Sequence, residues 1–447
     1  MMFRKYILSV AFILSTLCTY AQFRISGKIA DMSSKELLIG ASVSLPDLKT
    51  GTISDAQGNY QVSNLKKGSY LVVFSYSGYK SYYAKLDLNK DTILNVSLEP
   101  SATELGEVVV TGVTRSTELK HNPIVVATID KNNFVQNSAT NLIDALKNVP
   151  GVAQLTTGPN ISKPIIRGLG YNRIITLNNG IKHEGQQWGD EHGIELDEYS
   201  VDRVEIIKGP GSLMFGSDGI GGVLNFLSAK PPLNHEIKTQ ILTNYQSNNN
   251  LVGYSVANAG NIDGYHWAAR LTNKYAGNYS NPYDGKVFNS GFREFDGRVA
   301  LGMTKKWGYT NISVNSYNTK LGLVEGERDS QGKFTYENEE GEDVAATAQQ
   351  LSGYNIYLPY QKINHLGIIS NSYLILDKGT INADFGVQNN RRREFEDIET
   401  PDEPGLYFSL NTINYNIRYN LEKVNGWETS FGIGGMQQTN ANLGEEF

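Results

Sequence analysis

From Glu236 onward the chain alternates between apolar and polar residues. Ile381, Ala383, Phe385 and Val387 interleave with Asn382, Asp384, Gly386 and Gln388. Ile413, Tyr415, Ile417 and Tyr419 interleave with Thr412, Asn414, Asn416, Arg418 and Asn420. A period of two is the period of a strand, and it puts alternate residues on opposite faces of a sheet. Strongly polar alternate positions fit a barrel with lipid outside and a polar lumen; in a soluble sandwich the same strands would turn their polar face to water. Strands are expected near 236–246, 251–260, 264–274, 294–305, 309–318, 363–374, 380–390, 407–421 and 427–437. The connections after the second, fourth, sixth and eighth are short. The others are mostly long, reaching 319–362, and short turns alternating with long loops is the outer-membrane pattern.

Composition agrees. The chain has 447 residues, 45 Gly and 26 Tyr, and a formal net charge of -6. No basic field calls for nucleic acid. Past the N-terminus no apolar run reaches the roughly 18 residues of a spanning helix. A barrel needs none, because its closed ladder satisfies every backbone group.

Residues 1–21 read as an export signal: Arg4 and Lys5, the apolar stretch Tyr6–Leu17, then Thr19-Tyr20-Ala21 as a small-x-small cleavage site. Cys18, the single cysteine, lies in the part removed, so the mature chain has no thiol for disulfide or cysteine chemistry.

Residues 22–100 read as a small Ig-like β-sandwich. Phe23, Ile25 and Ile29 open it, and Asp55-Ala56-Gln57-Gly58-Asn59-Tyr60 is a turn between strands. The series I-S-G-K-I, G-A-S-V, T-I-S-D-A-Q-G-N-Y and Y-L-V-V-F-S-Y-S-G-Y resembles the carboxypeptidase-regulatory-like domain. The segment has no H-x-x-E or H-E-x-x-H pair and so offers no peptidase zinc site.

The stretch Val201–Leu227 is dense in glycine. Val204, Ile206 and Ile207 make a strand, Gly209-Pro210-Gly211 breaks it, and Gly216, Gly219, Gly221 and Gly222 precede a second apolar run, Val223–Leu227. Such glycines mark tight turns or a backbone pressed against another wall. They lead into a strand and not a helix, which argues against a phosphate cradle. The stretch resembles the end of the plug domain of TonB-dependent outer-membrane receptors. Pro164-Ile165-Ile166-Arg167-Gly168 and Arg173–Leu177 resemble further plug strands, with Asn179-Gly180 as a tight turn where the family usually has Asp-Gly. Ser138–Val149 reads as an amphipathic helix carrying Leu142, Ile143, Leu146 and Val149 on one face. The resemblance gives residues 120–229 a mixed α+β plug fold. It implies that Arg167, Arg173, Arg203 and Glu205 lock plug to barrel.

The linker 101–119 holds Glu107, Val108, Val109, Val110 and Thr111. These residues form either a last sandwich strand or, as the plug resemblance implies, a TonB box. An extended segment of this kind can add to a partner's sheet edge.

Between the plug strands runs the acidic loop Ile181–Ser200. Its acidic residues are Glu184, Asp190, Glu191, Glu195, Asp197 and Glu198, and such carboxylates with the imidazoles of His183 and His192 are a ligand set for a divalent metal. Gln186, Gln187 and Trp188 would instead suit an organic substrate. A third reading makes the loop a solvated surface whose carboxylates pair with barrel arginines. Arg391-Arg392-Arg393 would hold anionic lipopolysaccharide, an anionic ligand or that acidic loop.

The fold expected is thus mostly β: sandwich, plug, and at 230–447 the first part of an antiparallel transmembrane barrel, with about nine strands and unclosed. An odd strand count and a chain that stops in loop sequence suggest the N-terminal part of a longer protein. The resemblance implies TonB-dependent import of iron-siderophore, haem, metal or a similar nutrient across the outer membrane of a Gram-negative bacterium. It implies TonB with its inner-membrane energising complex as partner, outer-membrane lipid around a monomeric barrel, no cofactor and no catalytic residues. A passive porin or adhesin, or a surface peptidase, is the alternative.

Overall fold

The computed structural model describes residues 22–76, 79–100, 108–109, 117–118, 126–131, 140–185, 189, 192–338, 340–422, 427 and 429–445. Three β-regions follow one another along it.

The first is a two-sheet sandwich. Strand Phe23–Asp31 pairs antiparallel with Asn59–Leu65 and parallel with Thr92–Ile93 and Val96–Leu98. The facing sheet runs Thr50–Ile53, Ser42–Leu45, Gly68–Ser75, Tyr82–Leu88. Ile25, Ile29, Val43, Val72 and Phe74 are fully buried between the sheets. Each such side chain contributes roughly 1.5–3 kcal/mol by leaving water. The expected turn is present: Asp55 Oδ1 accepts from the backbone N–H of Gln57 at 2.9 Å and of Asn59 at 2.8 Å.

The second region is a five-stranded sheet in the order Val126–Asp130, Val201–Ile207, Gly222–Ser228, Ile174–Asn178, Ile181–Lys182. Only the pairing of Ile174–Asn178 with Gly222–Ser228 is parallel. The glycine-dense stretch is where this sheet closes on itself. Gly222 has φ +148°, and a Cβ there would sit 2.7 Å from the carbonyl oxygen of Ile207 and 2.9 Å from Ile166 Cδ1. Any side chain would push two strands apart. Asn179-Gly180 turns tightly, with φ 49° and 85°. The expected amphipathic helix at 138–149 is corrected by the structure. Its described part is turns around a short 3-10 helix, Asp144–Leu146, stopped at Pro150-Gly151. Leu142, Ile143 and Leu146 are buried all the same. A compact turn delivers them to the sheet as well as a helix would.

The third region is a nine-stranded antiparallel meander: Glu236–Gln246, Leu251–Ile262, Tyr265–Ala276, Phe292–Lys305, Gly308–Gly322, Tyr360–Leu376, Gly379–Phe395, Leu406–Leu421, Ser430–Asn442. All nine expected strands are there. Most extend past an expected end because the pairing register runs on into the loops; Glu236–Gln246 matches its expected bounds, and the last strand begins at Ser430, later than expected. The outward face is apolar and exposed, with Leu301, Ile312, Phe385 and Ile413 each more than 40% accessible. The inward face is polar and buried, with Ser255, Asn390 and Arg392 fully covered. This wall carries the plug sheet on its inner face. At its short-turn end it meets the sandwich, whose core takes in Tyr373 and Ile375. There Lys66 Nζ donates to the carbonyl oxygen of Ile375 at 3.1 Å.

Candidate functional site at the plug–wall interface

The acidic loop leaves the plug strand Ile181–Lys182 and returns at Val201–Ile207. Its carboxylates Glu195, Asp197 and Glu198 point into the wall. Asp197 caps the 3-10 turn Glu198–Ser200 by accepting from the Tyr199 N–H at 2.9 Å. Its other oxygen accepts from Thr272 Oγ1 at 2.8 Å. Glu198 receives Lys274 Nζ at 2.5 Å, and the same ammonium meets Glu294 at 2.5 Å. Tyr317 donates to the far oxygen of Glu294 at 3.1 Å. Burial pushes the Glu198 carboxyl up to about 7 against the pull of Lys274.

A second cluster lies beside Glu195. Arg392 Nη2 donates to Glu195 Oε1 at 2.7 Å, and His365 Nδ1 lies 2.9 Å from Oε2. Asn390 Nδ2 also donates to Oε2. Arg392 Nη1 donates to Gln361 at 2.6 Å, Gln361 donates to Glu394 at 2.9 Å, and His192 Nε2 lies 3.4 Å from Glu394. Gln388 ties the other end, donating to the Lys182 carbonyl at 2.7 Å and facing His365 Nε2 at 3.2 Å. Removing one partner of a buried ion pair leaves an uncompensated charge, so losing either side of one of these pairs would loosen the loop from the wall.

His183 lies flat on His365, with ring centroids 4.4 Å apart and planes 6° apart. Its Nε2 is buried without a hydrogen-bond partner. Burial first, and the neighbouring His365 second, hold the His183 imidazole well below its ordinary value. His183, Glu195 and His365 are one of two groups of potential metal ligands among the described residues. As they stand they do not fit an ion. A lone pair lies in the plane of its ring, and no single ion lies in both of two stacked planes. Both His365 nitrogens already face oxygens, and Glu195 already accepts from Arg392. The adjoining cavity holds about 40 Å³, room for water but not for a chelate.

The structure places the expected site residues unevenly. His183 and Glu184 sit against the wall, Glu184 paired with Lys182 at 2.9 Å. His192 stands outside the three-ligand group and beside Glu394. Gln186, Trp188, Asp190 and Glu191 lie outside the described residues, as do Glu107, Val110 and Thr111. Val108–Val109 pairs antiparallel with Thr117–Glu118. Arg203 meets Glu205 at 2.8 Å within the plug sheet itself, Arg167 turns at φ 51°, and Arg173 ends a 3-10 turn. Among the described residues, Glu195 pairs with Arg392 and Glu198 with Lys274 across the plug–wall interface; the first is the expected pairing of the acidic loop with the arginine run, whereas Lys274 was not among the expected residues. The signal was present in the alternation: Lys274 and Arg392 both fall at inward positions, where a lone cation needs a carboxylate.

Residues 25–110 match the family described as the CarboxypepD_reg-like domain, and residues 118–223 match the TonB-dependent Receptor Plug Domain. The chain thus carries the plug domain of the TonB-dependent receptors. Among curated relatives, the iron-regulated outer membrane virulence protein of Vibrio cholerae is 31% identical over 155 residues, 33% of this receptor and 24% of that protein. The hemin receptor of Yersinia enterocolitica is 33% identical over 105 residues, 23% of this receptor and 15% of that protein. The ferric yersiniabactin uptake receptor of Yersinia pestis has the same fold, with TM-score 0.53 at 16% identity, over 72% of this receptor and 49% of that chain. The receptor chain thus spans about half of that solved structure, and the matched region is at most about a quarter of these curated relatives.

Proposed function

We propose that this chain imports a scarce nutrient, such as an iron-siderophore, haem or a metal, across the outer membrane. The carrying observation is a plug sheet bound by buried ion pairs to the polar face of a wall whose other face is apolar and exposed. A passive pore has no use for a plug held in this way. The matched haem and iron-regulated proteins support the nutrient class. Residues 1–21 would direct export, and the sandwich and linker would lie in the periplasm, with a monomeric barrel in outer-membrane lipid and lipopolysaccharide.

Glu107–Thr111 would be the segment that TonB, driven by the inner-membrane energising complex, takes up as an added strand. Pulling there works against the Glu195 and Glu198 pairs, and the plug moves when they part. Arg167, Arg173, Arg203 and Glu205 would stiffen the plug against that pull. Substrate would be read by the loop His183–His192, including Glu184, Gln186, Trp188, Asp190 and Glu191. No step makes or breaks a covalent bond.

Growth of a deletion strain on a panel of iron, haem, metal and vitamin sources tests the reading. Failure on one source, rescued by the wild-type gene, supports it; normal growth on every source sinks it. Val109→Pro sharpens the coupling half, since proline removes a backbone donor and blocks strand addition. Uptake should be lost while ligand binding at the cell surface persists. Undiminished uptake by a properly inserted variant would remove the TonB-box assignment. For the loop, His183→Ala, His192→Ala and Trp188→Ala separate a metal from an organic ligand by calorimetric titration. Unchanged affinity in all three, with the plug folded, takes the loop out of the binding site.

A further inference from the structure

The run Arg391-Arg392-Arg393 is divided by the alternation of its strand. Arg392 points inward to Glu195. Arg391 and Arg393 share the outward face with Phe385 and Val387. In register, Arg393 stands opposite Lys362, Lys362 opposite Lys320, and Lys320 opposite Arg293. Four cations therefore form one row across four adjacent strands, with roughly 5 Å between neighbouring backbones.

The surroundings of this row are those of a membrane boundary. Tyr275 stands opposite Arg293 at one end and Tyr407 opposite Arg393 at the other. Lys320 Nζ lies 3.5 Å from the centroid of Tyr360, which stacks on Phe395 at 4.7 Å. Lower on the same face, Val299, Val314, Ile368, Val387 and Ile413 pair across five strands as one aliphatic rung, each at least 39% exposed. At about 3.3 Å rise per residue and a tilt of about 40°, Arg393 stands roughly 15 Å above that rung, about half a hydrocarbon thickness.

The outward positions of these four strands carry no carboxylate; Asp402, in the loop beyond the row, lies close to Tyr360. Glu294 and Glu394, one residue from Arg293 and Arg393, point inward to Lys274 and Gln361. The residues one outward step below the row, Phe295, Asn318, Asn364 and Arg391, include no carboxylate. Four like charges at a lipid boundary repel one another more strongly than they would in water, and an anion brought among them relieves that.

We propose that Arg293, Lys320, Lys362 and Arg393 form a binding site for the phosphorylated headgroup of a glycolipid in the leaflet on the long-loop side. The proposal rests on the reading of the wall as an outer-membrane barrel. The aliphatic rung receives the acyl chains and the row receives the phosphates, so one amphipathic molecule satisfies both. A soluble anion would satisfy only the row.

The test titrates full-length receptor in detergent with purified lipopolysaccharide, with its dephosphorylated form, and with inorganic phosphate. The variant replaces all four residues by Gln; Lys362→Gln alone serves where the fourfold variant does not fold, and heat-modifiable migration on gels reports folding. Wild-type receptor should bind the phosphorylated form at least about tenfold more tightly than the dephosphorylated one, and the fourfold variant should lose that preference. The single variant should lose part of it, and added salt should weaken the wild-type preference. Equal binding by wild type and the folded variant overturns the proposal. So does inorganic phosphate binding as tightly as the glycolipid. Membrane fractionation tests the barrel reading separately: a receptor absent from the outer membrane refutes that reading, whatever the titration shows.

Discussion

The N-terminal sandwich and the nine-stranded wall use the same period of two and bury opposite residues. In the sandwich Ile29, Val72 and Phe74 are fully covered, and on the strand Asn59–Leu65 Tyr60 and Val62 are buried while the alternate Gln61 and Ser63 face water. In the wall Ile368, Val387 and Ile413 are exposed, and Asn390, Arg392 and Thr412 are covered. Alternation alone states that a sheet has two unlike faces. Which face is buried depends on what packs against it: a second apolar sheet in one case, a polar plug and lipid in the other.

Breaking the wall's inner face should have the largest effect. Arg392→Ala strands Glu195 in a buried site, and plug docking should weaken by roughly 3–5 kcal/mol. Hydrogen exchange in the plug strand Val201–Ile207 would report it, and exchange at the wild-type rate would show that the pair carries little. Reversing the outer face should come next. Val387→Lys puts a charge on the aliphatic rung, and folding into a bilayer should weaken by roughly 2–4 kcal/mol. Unchanged urea-dependent refolding into lipid vesicles would contradict a lipid-facing wall. A milder contrast uses one substitution in both regions. Ile29→Val should lower sandwich stability by roughly 1 kcal/mol, because a cavity opens in a closed core. Ile413→Val should change wall stability far less, because lipid chains fill the space. Equal losses would erase the distinction.

The smallest effect should be a pH dependence. Burial and His365 hold the His183 imidazole well below its ordinary value. The native ring therefore stays neutral where the released ring takes up a proton. Its contribution is fully present above about pH 6.5 and is lost as pH falls below that value. Protection of the plug amides, relative to the intrinsic exchange rate at each pH, should fall between pH 7.5 and 5.5 in wild type and fall less in His183→Gln. Identical slopes would assign the dependence to other groups.

Much of the fold was legible in the residues. Strand periodicity located all nine wall strands, and Gly222 and Asn179-Gly180 marked a close approach and a tight turn. The 138–149 segment was misread because a 3.6-residue apolar pattern does not distinguish a helix from successive turns that bury the same side chains. The candidate site was half legible. The acidic loop, its histidines and the arginine run were each visible as composition. That the arginine run could hold the acidic loop was one of several open readings; that Arg392 meets Glu195 was not legible, since the two are far apart in the chain and only the register of the wall brings them together.

By itself the sequence determined three β-regions, the two unlike faces of each strand, and the glycines that let the plug sheet close. Tertiary structure decided which face of the wall is left exposed, that Arg392 turns to the plug while Arg391 and Arg393 turn away from it, and that His183 lies on His365. The physical reason is reach. Periodicity and turn chemistry act between residues a few positions apart, whereas an ion pair or a stacked ring depends on which distant strands lie side by side.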